Sequence, residues 1–207
     1  MLEDKSVSAF LDELASTAPA PGGGAASALV GAVGAALVSM VCGLTLASDK
    51  YKDAQPALRP VLARSNELRT ELLRLGEEDA VAFGKVSAAM KMPRATPEEK
   101  EARTAALQAS LKDACDVPLR TMRACAELLA LCETAAVHGT PHAVSDVGVA
   151  VHAASAGLRG AEMNVAVNLS LIRDTEYVQM ARAQADELLS LCASRAEAAL
   201  AAVKGRM

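Results

Sequence analysis

Aromatic side chains are almost missing from this chain of 207 residues, which has no tryptophan, two tyrosines and two phenylalanines. Hydrophobic residues still make up 52% of the sequence, so the interior has to be built from Ala, Leu and Val. Alternating runs of β-branched and aromatic residues, which mark strands, do not occur, whereas helix formers dominate. The composition therefore predicts an all-α fold, and the length suits a single domain over residues 1–207.

The scarcity of basic clusters, paired cysteines and histidines disfavours several classes of function. The net charge is -4 and no basic block occurs, which argues against nucleic acid as a partner. The five cysteines form no CxxC pair, and the three histidines fit no metal-binding signature, so we expect reduced thiols, no metal and no cofactor. Acids stand near the N-terminus where a signal peptide requires basic residues, which predicts a cytoplasmic location.

Residues 22–48 contain no charged residue, which makes this segment long and apolar enough to span a membrane. Its wealth of Ala, Gly and Ser, and the lack of an aromatic belt, favour instead a buried helix that neighbouring helices approach closely. Such a helix needs covering on every side, and a bundle of six to seven helices has few to spare. We therefore expect a homodimer and no membrane partner.

Capping residues, prolines and glycines divide the rest of the chain into helices. Thr96 followed by Pro97 predicts a helix start, and Pro93 and Gly139 predict ends. Pro118 is expected to kink or divide the helix that contains it. The predicted helices cover residues 6–15, 22–48, 57–90, 97–137, 142–172 and 174–203.

On the third of these helices, one acidic residue occupies a position where the helical pattern predicts an apolar side chain. Steps of three and four residues along its apolar face lead to Asp79, so a carboxylate lies in the row that faces the core. Burying an ionised carboxylate is costly unless it is paired or hydrogen-bonded, which favours a chemical role over a structural one. The row consists of Leu58, Val61, Ser65, Leu68, Leu72, Leu75, Asp79, Ala82 and Val86.

A second unusual row follows on the helix that begins near Asp146. It has small residues in the middle and polar residues at its ends, and Asn164 and Asn168 are spaced to share one face. The two asparagines fit contact with a heterocyclic ligand as well as they fit packing against another helix. The row consists of Asp146, Ala150, Ala153, Gly157, Gly160, Asn164 and Asn168.

Two further groups of residues suit an anionic or polar ligand. Pro21 with Gly22, Gly23 and Gly24 opens the uncharged helix, where free backbone amides point outward. At the other end of that helix Tyr51 is flanked by lysines, and Lys91 and Arg94 follow Asp79 along the chain. These cations are suitable partners for substrate carboxylates, although each taken alone is typical of an ordinary surface.

Six motifs along the whole chain resemble the cyclodeaminase/cyclohydrolase family, which includes the cyclodeaminase domain of formiminotransferase-cyclodeaminase and stand-alone bacterial methenyltetrahydrofolate cyclohydrolases. Residues 39–42 (SMVC) and 155–159 (SAGLR) look closer to the stand-alone enzymes. The motifs are residues 18–24 (APAPGGG), 79–83 (DAVAF), 90–93 (MKMP) with 96–100 (TPEEK), 117–118 (VP), 145–148 (SDVG) and 164–169 (NVAVNL).

The resemblance implies an all-α homodimer with a folate-binding cleft and Asp79 as its catalytic acid or base. It implies hydrolysis of 5,10-methenyltetrahydrofolate to 10-formyltetrahydrofolate, with release of ammonia from 5-formiminotetrahydrofolate as the alternative. Asn164, Asn168 and Asp146 are then expected to orient the pterin, and Lys91 and Arg94 to meet the glutamate tail. A non-catalytic helical scaffold is the interpretation from a different class, and it predicts that Asp79 is replaceable.

Overall fold

A computed structural model describes residues 4–207, and all regular secondary structure in that range is helical. Six α-helices pack around one hydrophobic core, which confirms the predicted all-α fold and the predicted number of helices. Short 3-10 turns at Asp49–Ala54 and Pro141–Ala143 connect two pairs of them. The helices are α1 (Val7–Leu14), α2 (Gly23–Leu46), α3 (Gln55–Met90), α4 (Pro97–His138), α5 (Val144–Leu169) and α6 (Thr175–Lys204).

The helix starts have local causes that the sequence carries. Thr96 accepts a hydrogen bond from the backbone N–H of Glu99, whose carboxylate accepts in return from the N–H of Thr96. This capping box satisfies backbone donors at the start of α4. Ser6 and Asp174 accept from backbone N–H groups in the same way at the starts of α1 and α6.

α2 lies in the middle of the bundle between α3 and α5, and 13 of its 24 residues are buried. Glycines allow close contact here, because a Cβ on Gly34 would lie 3.1 Å from the carbonyl oxygen of Ala150 on α5. The buried hydroxyl of Ser39 bonds to that of Ser65 on α3 at 2.8 Å. Among residues 4–207, α2 alone has the length and apolar composition to cross a membrane, and these contacts give it a core position instead.

One side of α2 is left uncovered by the other helices. Exposed and half-buried residues recur on this side in steps of three and four, are all apolar or small, and form what we call the α2 stripe. Val33 is 51% exposed and Leu44 is 54% exposed, which is unusual for aliphatic side chains on a central helix. The α2 stripe consists of Gly23, Ala26, Val30, Val33, Leu37, Met40, Leu44 and Ala47.

α4 is continuous through Pro118, so of the two predicted effects, a kink or a division, the division does not occur. A proline inside a helix has no N–H for the carbonyl four residues earlier, which here is that of Ala114. The side-chain amide of Asn168 on α5 donates to this carbonyl at 2.9 Å. A tertiary hydrogen bond therefore replaces the missing helical one.

Candidate functional site

The apolar row on α3 is buried as predicted, and Asp79 interrupts it. Its eight other members are buried, whereas Asp79 is half-buried. The carboxylate is therefore held at the edge of the core, where one side contacts protein and the other faces a cleft. This confirms the helical periodicity from which the position of Asp79 was predicted.

The first turn of α2 receives the carboxylate of Asp79. Its Oδ2 atom accepts a hydrogen bond from the backbone N–H of Ala25 at 3.1 Å. Gly24 leaves the space for this contact, because a Cβ there would lie 2.1 Å from the Oδ1 atom of Asp79. The glycine run thus allows the side chain of Asp79 to approach α2 closely. The positive end of the α2 dipole faces its carboxylate.

Burial and hydrogen bonding act on the pKa of Asp79 in opposite directions. Desolvation of the half-buried carboxylate raises the pKa, and the N–H of Ala25, which favours the ionised form, lowers it by less. The net pKa lies above the ordinary value for an aspartate. A carboxylate of this kind is suited to accept and return a proton.

The cleft in front of Asp79 has a volume of about 350 Å³ and lies between α2, α3, α4 and α5. Among residues 4–207, Asp79 is the one charged residue that lines it, and most of the other lining side chains are apolar. The remaining lining residues are Pro19, Ala20, Gly22, Gly23, Gly24, Phe83, Val86, Met90, Leu111, Ala114, Asn164, Val167, Asn168 and Leu171. The shape and lining suit a largely apolar, flat ligand with a positive group directed at Asp79.

Both predicted asparagines reach this cleft. The Nδ2 atom of Asn164 donates to the carbonyl of Gly160 at 2.9 Å, and that of Asn168 donates to the carbonyl of Ala114. The bond of Asn164 stays within α5, whereas that of Asn168 joins α5 to α4. Each carbonyl oxygen Oδ1 is left to accept a hydrogen bond from a ligand, so for Asn168 helix packing and ligand contact are compatible.

Three predicted binding residues lie beside the cleft and do not line it. Lys91 directly follows Met90, the last lining residue of α3, and Arg94 lies on the exposed turn after it. Pro21 lines a neighbouring cavity of about 270 Å³ together with Phe10 of α1. Of the predicted N-terminal loop, Gly22, Gly23 and Gly24 are the part that contacts the cleft.

Tyr51 and Asp146, two further predicted binding residues, do not line this cleft within one subunit. Asp146 precedes Asn164 by 18 residues of one straight helix, which is a separation of about 27 Å. The hydroxyl of Tyr51 accepts a hydrogen bond from Thr140 at 3.2 Å, in a separate cavity of about 390 Å³ that also contains Lys50 and His142. Residues on one face of a long helix point in the same direction but can lie far apart along its axis.

The apolar walls of the cleft were not predicted from the sequence. Phe83, one of two phenylalanines in the chain, lies one turn beyond Asp79 and is 44% exposed. Val167 and Leu171 face it from the C-terminal part of α5 and the turn after it. Phe83 could have been predicted to line the cleft, because it lies four positions after Asp79 and residues at this spacing share a helix face.

A larger cavity of about 600 Å³ between α3, α4 and α6 has charged walls of both signs. Its cations are engaged by neighbouring acids, for example Arg120 with Glu78 at 2.6 Å and Lys85 with Asp113 at 3.4 Å. Within residues 4–207 no three His, Cys, Asp or Glu side chains are arranged to hold a metal ion. The Asp79 cleft is thus the better candidate site.

Comparison with known proteins identifies the family of this chain. The sequence model for formiminotransferase-cyclodeaminase matches residues 6–187, which is most of the chain. The chain belongs to the formiminotransferase-cyclodeaminase family. A methenyltetrahydrofolate cyclohydrolase from Methylorubrum extorquens is 42% identical over 207 residues, covering all of both chains.

Other family members include longer proteins. The formimidoyltransferase-cyclodeaminase of Rattus norvegicus is 33% identical over 205 residues, and the alignment spans 99% of this chain and 38% of the rat protein. The crystal structure of formiminotetrahydrofolate cyclodeaminase from Thermotoga maritima superimposes with a TM-score of 0.89 at 28% identity, covering 99% of this chain and 98% of that chain. The family fold is therefore present in full.

Proposed function

We propose that this chain hydrolyses 5,10-methenyltetrahydrofolate to 10-formyltetrahydrofolate. The observation that carries the proposal is the half-buried carboxylate of Asp79 at the floor of an apolar cleft. The full-length similarity to a methenyltetrahydrofolate cyclohydrolase supports the choice of substrate. The same similarity favours an enzyme over a non-catalytic helical scaffold.

The chemistry requires one carboxylate to do two things. The methenyl carbon bridges N5 and N10 as a cation, and the Asp79 anion stabilises that charge at short range. Water adds to the carbon while Asp79 accepts a proton from it. The tetrahedral adduct then loses its bond to N5, which takes up the proton held by Asp79. The hydroxyl group of the adduct releases its own proton to water and becomes the carbonyl of the formyl group on N10. A pKa raised by burial suits Asp79 to this general base and acid role.

The cleft residues suit the rest of a folate. The amide oxygens of Asn164 and Asn168 accept hydrogen bonds from the N–H groups of the pterin ring. Phe83 and Val167 provide apolar walls for the aromatic rings of the substrate. The backbone N–H of Ala25, directly after the glycine run, orients the carboxylate at this end of the cleft.

The glutamate tail leaves the cleft at the far end of α3. Lys91, the C-cap of α3, follows Asp79 by 12 residues, or about 18 Å along the helix axis. Lys91 and Arg94 are both exposed and provide charges of the required sign. We assign the tail carboxylates to this side of the cleft.

Cyclodeamination is the second candidate, and the Thermotoga maritima structure is the observation that favours it. In that reaction N10 attacks the formimino carbon on N5, and ammonia leaves from the same kind of tetrahedral centre. Asp79 would transfer protons there as well. The same cleft thus suits hydrolysis and cyclodeamination, because both reactions form a tetrahedral centre at the same carbon.

We further propose a homodimer in the cytoplasm that needs neither a metal nor a cofactor and binds neither nucleic acid nor a membrane. The uncovered α2 stripe supports the dimer, because a second subunit would remove its aliphatic side chains from water. The reaction itself consumes only water and folate. Tyr51 and Asp146 have no role within the cleft of a single subunit.

The test is the rate at which the purified protein removes the absorbance of 5,10-methenyltetrahydrofolate, measured beside ammonia release from 5-formiminotetrahydrofolate. Hydrolysis without ammonia release is the expected result. Ammonia release would assign the cyclodeaminase reaction to the same cleft. Lack of both activities in correctly folded protein would refute the proposal.

A further inference from the structure

We infer that Arg103 of α4 is a fixed cation at the outer end of the Asp79 cleft, where it binds a carboxylate of the substrate's glutamate. Arg103 is then a specificity-determining residue, because it favours substrates that have this glutamate over substrates that lack it. This assignment rests on the proposed function. Its physical basis is the contact of the Arg103 guanidinium with the end of α3.

Arg103 makes the hydrogen bond that Pro93 cannot make at the end of α3. The N–H groups of residues 91 and 92 each donate to the carbonyl three residues earlier. Pro93 comes next in this series and has no N–H for the carbonyl of Met90. The Nε and Nη2 atoms of Arg103 donate to that carbonyl instead, each at 3.2 Å. The guanidinium is therefore held against Met90, which lines the cleft.

The guanidinium of Arg103 keeps one edge for a ligand. An arginine side chain has two edges that can each donate a pair of parallel hydrogen bonds. The edge with Nε and Nη2 faces the carbonyl of Met90, which leaves the edge with Nη1 and Nη2. A pair of parallel donors fits the two oxygens of a carboxylate. Arg103 thus combines a fixed orientation with an unused binding edge.

The acids near Arg103 in the chain do not neutralise its charge. Glu99 lies four residues earlier on α4, at the spacing of a stabilising ion pair. Its carboxylate instead accepts hydrogen bonds from the N–H of Ala95 at 2.6 Å and from the N–H of Thr96 at 3.2 Å. Within the described residues 4–207, Arg103 forms no ion pair with a carboxylate. A carboxylate of the substrate therefore has no competitor there.

Arg103 lies on the face of α4 that forms one wall of the cleft. It precedes Ala114 by 11 residues, which is about three helical turns or 16 Å, so the two residues point in nearly the same direction. Ala114 and Leu111 line the cleft, and Asn168 bonds to Ala114 at its inner end. On α3 the lining residues end at Met90, which Arg103 contacts. The cleft therefore leads from amide groups past apolar walls to a cation.

The groups of a folate follow one another in the same order. A pterin with polar edges is joined to a flat aminobenzoyl ring, and the glutamate carboxylates come last. With the pterin at the two asparagines and the reacting carbon at Asp79, the glutamate is directed toward Arg103. Lys91 and Arg94 are exposed on the turn nearby. Arg103 is already oriented by Met90, so it loses less conformational freedom than they do when a carboxylate binds.

Two substrates separate binding of the glutamate from any other role of Arg103. They are 5,10-methenyltetrahydrofolate and 5,10-methenyltetrahydropteroate, which lacks the glutamate. The wild-type protein should have the higher kcat/KM with the folate. Arg103→Met should reduce this preference about tenfold, the scale of a hydrogen bond between charged groups, and the change should lie in KM. Arg103→Lys keeps the charge without the paired donors and should retain only part of the preference.

The matched control is Arg123→Met, since Arg123 lies on the same helix and donates to Gln184 at 2.7 Å on another surface. It should leave the preference for the folate at its wild-type value. An equal loss with both substrates in Arg103→Met would show that Arg103 only caps α3, which would overturn the assignment. If Arg103→Met does not fold, Arg103→Lys decides the question, and a full wild-type preference in that variant would overturn the assignment.

Binding of unreactive analogues keeps this assignment separate from the proposed function. Anaerobic titration calorimetry measures the dissociation constants of tetrahydrofolate and tetrahydropteroate. If the wild-type protein turns over neither of the two proposed folate substrates, the proposed function fails. Tighter binding of tetrahydrofolate than of tetrahydropteroate, lost in Arg103→Met and kept in Arg123→Met, would still support the binding role of Arg103. Equal affinity of the wild-type protein for the two analogues, or no binding of either, would overturn it.

Discussion

The side chain of Asn168 makes the hydrogen bond that Pro118 cannot make. Pro118 has no N–H, so the carbonyl of Ala114 has no partner within α4. Asn168 donates to that carbonyl from α5 at 2.9 Å, at the edge of the Asp79 cleft. The proline and the asparagine together fix how the two helices that form one wall of the cleft lie against each other.

We expect Asn168→Ala to destabilise the protein by about 1–3 kcal/mol, because the carbonyl of Ala114 is then left without a partner. In the background of Pro118→Ala the same change should cost much less, since the N–H of the new alanine bonds to that carbonyl. Denaturant unfolding of the two single variants and the double variant measures the coupling. Equal costs of Asn168→Ala in both backgrounds would refute the relationship.

Gly24→Ala should displace the carboxylate of Asp79, because the added Cβ would lie 2.1 Å from its Oδ1 atom. We expect a loss of activity of about 100-fold or more, on the scale of lost general acid and base assistance. Gly43→Ala on the same helix is the control, since no atom lies within 4 Å of a Cβ there. Wild-type turnover in Gly24→Ala would contradict the geometry, and hydrolysis of methenyltetrahydrofolate is the measurement.

Asp79→Asn should lower kcat by about 100 to 10,000-fold while the protein still folds. The variant keeps an oxygen that can accept the hydrogen bond from Ala25 and removes the charge. A steady-state rate, with circular dichroism as the check on folding, tests this. Near-wild-type turnover of the folded variant would remove Asp79 from the mechanism.

The same substitution has a predictable effect on stability against pH. Burial raises the pKa of Asp79 above its ordinary value of 3.8, so the folded protein binds this proton more tightly than the unfolded chain does. As the pH rises from 3.8 through the raised pKa, ionisation of Asp79 therefore lowers the free energy of unfolding. At neutral pH Asp79→Asn should melt at the wild-type temperature or above it, and the advantage should shrink as the pH falls. Thermal unfolding at several pH values measures both.

Gln108 stabilises the turn after α5, which contains the lining residue Leu171 at the edge of the cleft. Its side chain donates to the carbonyl of Leu171 at 3.0 Å and accepts from the N–H of Arg173 at 2.7 Å. Gln108→Ala should raise KM several-fold with little change in kcat, because Leu171 lines the cleft and Asp79 is untouched. Gln184→Ala, which loses a single bond to Arg123 on another surface, is the control and should leave KM at its wild-type value.

The sequence was sufficient for features that depend on local rules. The helical row through Asp79 and the helix start at Thr96 depend on periodicity and on near neighbours in the chain, and both were predicted. Asp146 was placed with Asn164 because they share a face of α5, and periodicity does not report that about 27 Å of helix separates them. The partner of Asn168 was likewise out of reach, since Ala114 is 54 residues away in the chain.

The glycines between α2 and α5 also limit how this chain can change over generations. A Cβ on Gly31 would lie 2.8 Å from the Sγ atom of Cys125, and one on Gly157 would lie 2.8 Å from the carbonyl of Ser27. A side chain at either position therefore requires a neighbouring atom to shift, at the contact of α2 with α4 for Gly31 and with α5 for Gly157. Substitutions on the exposed faces of α4 and α6 meet no such constraint, so the centre of the bundle is the part of this fold that is least open to change.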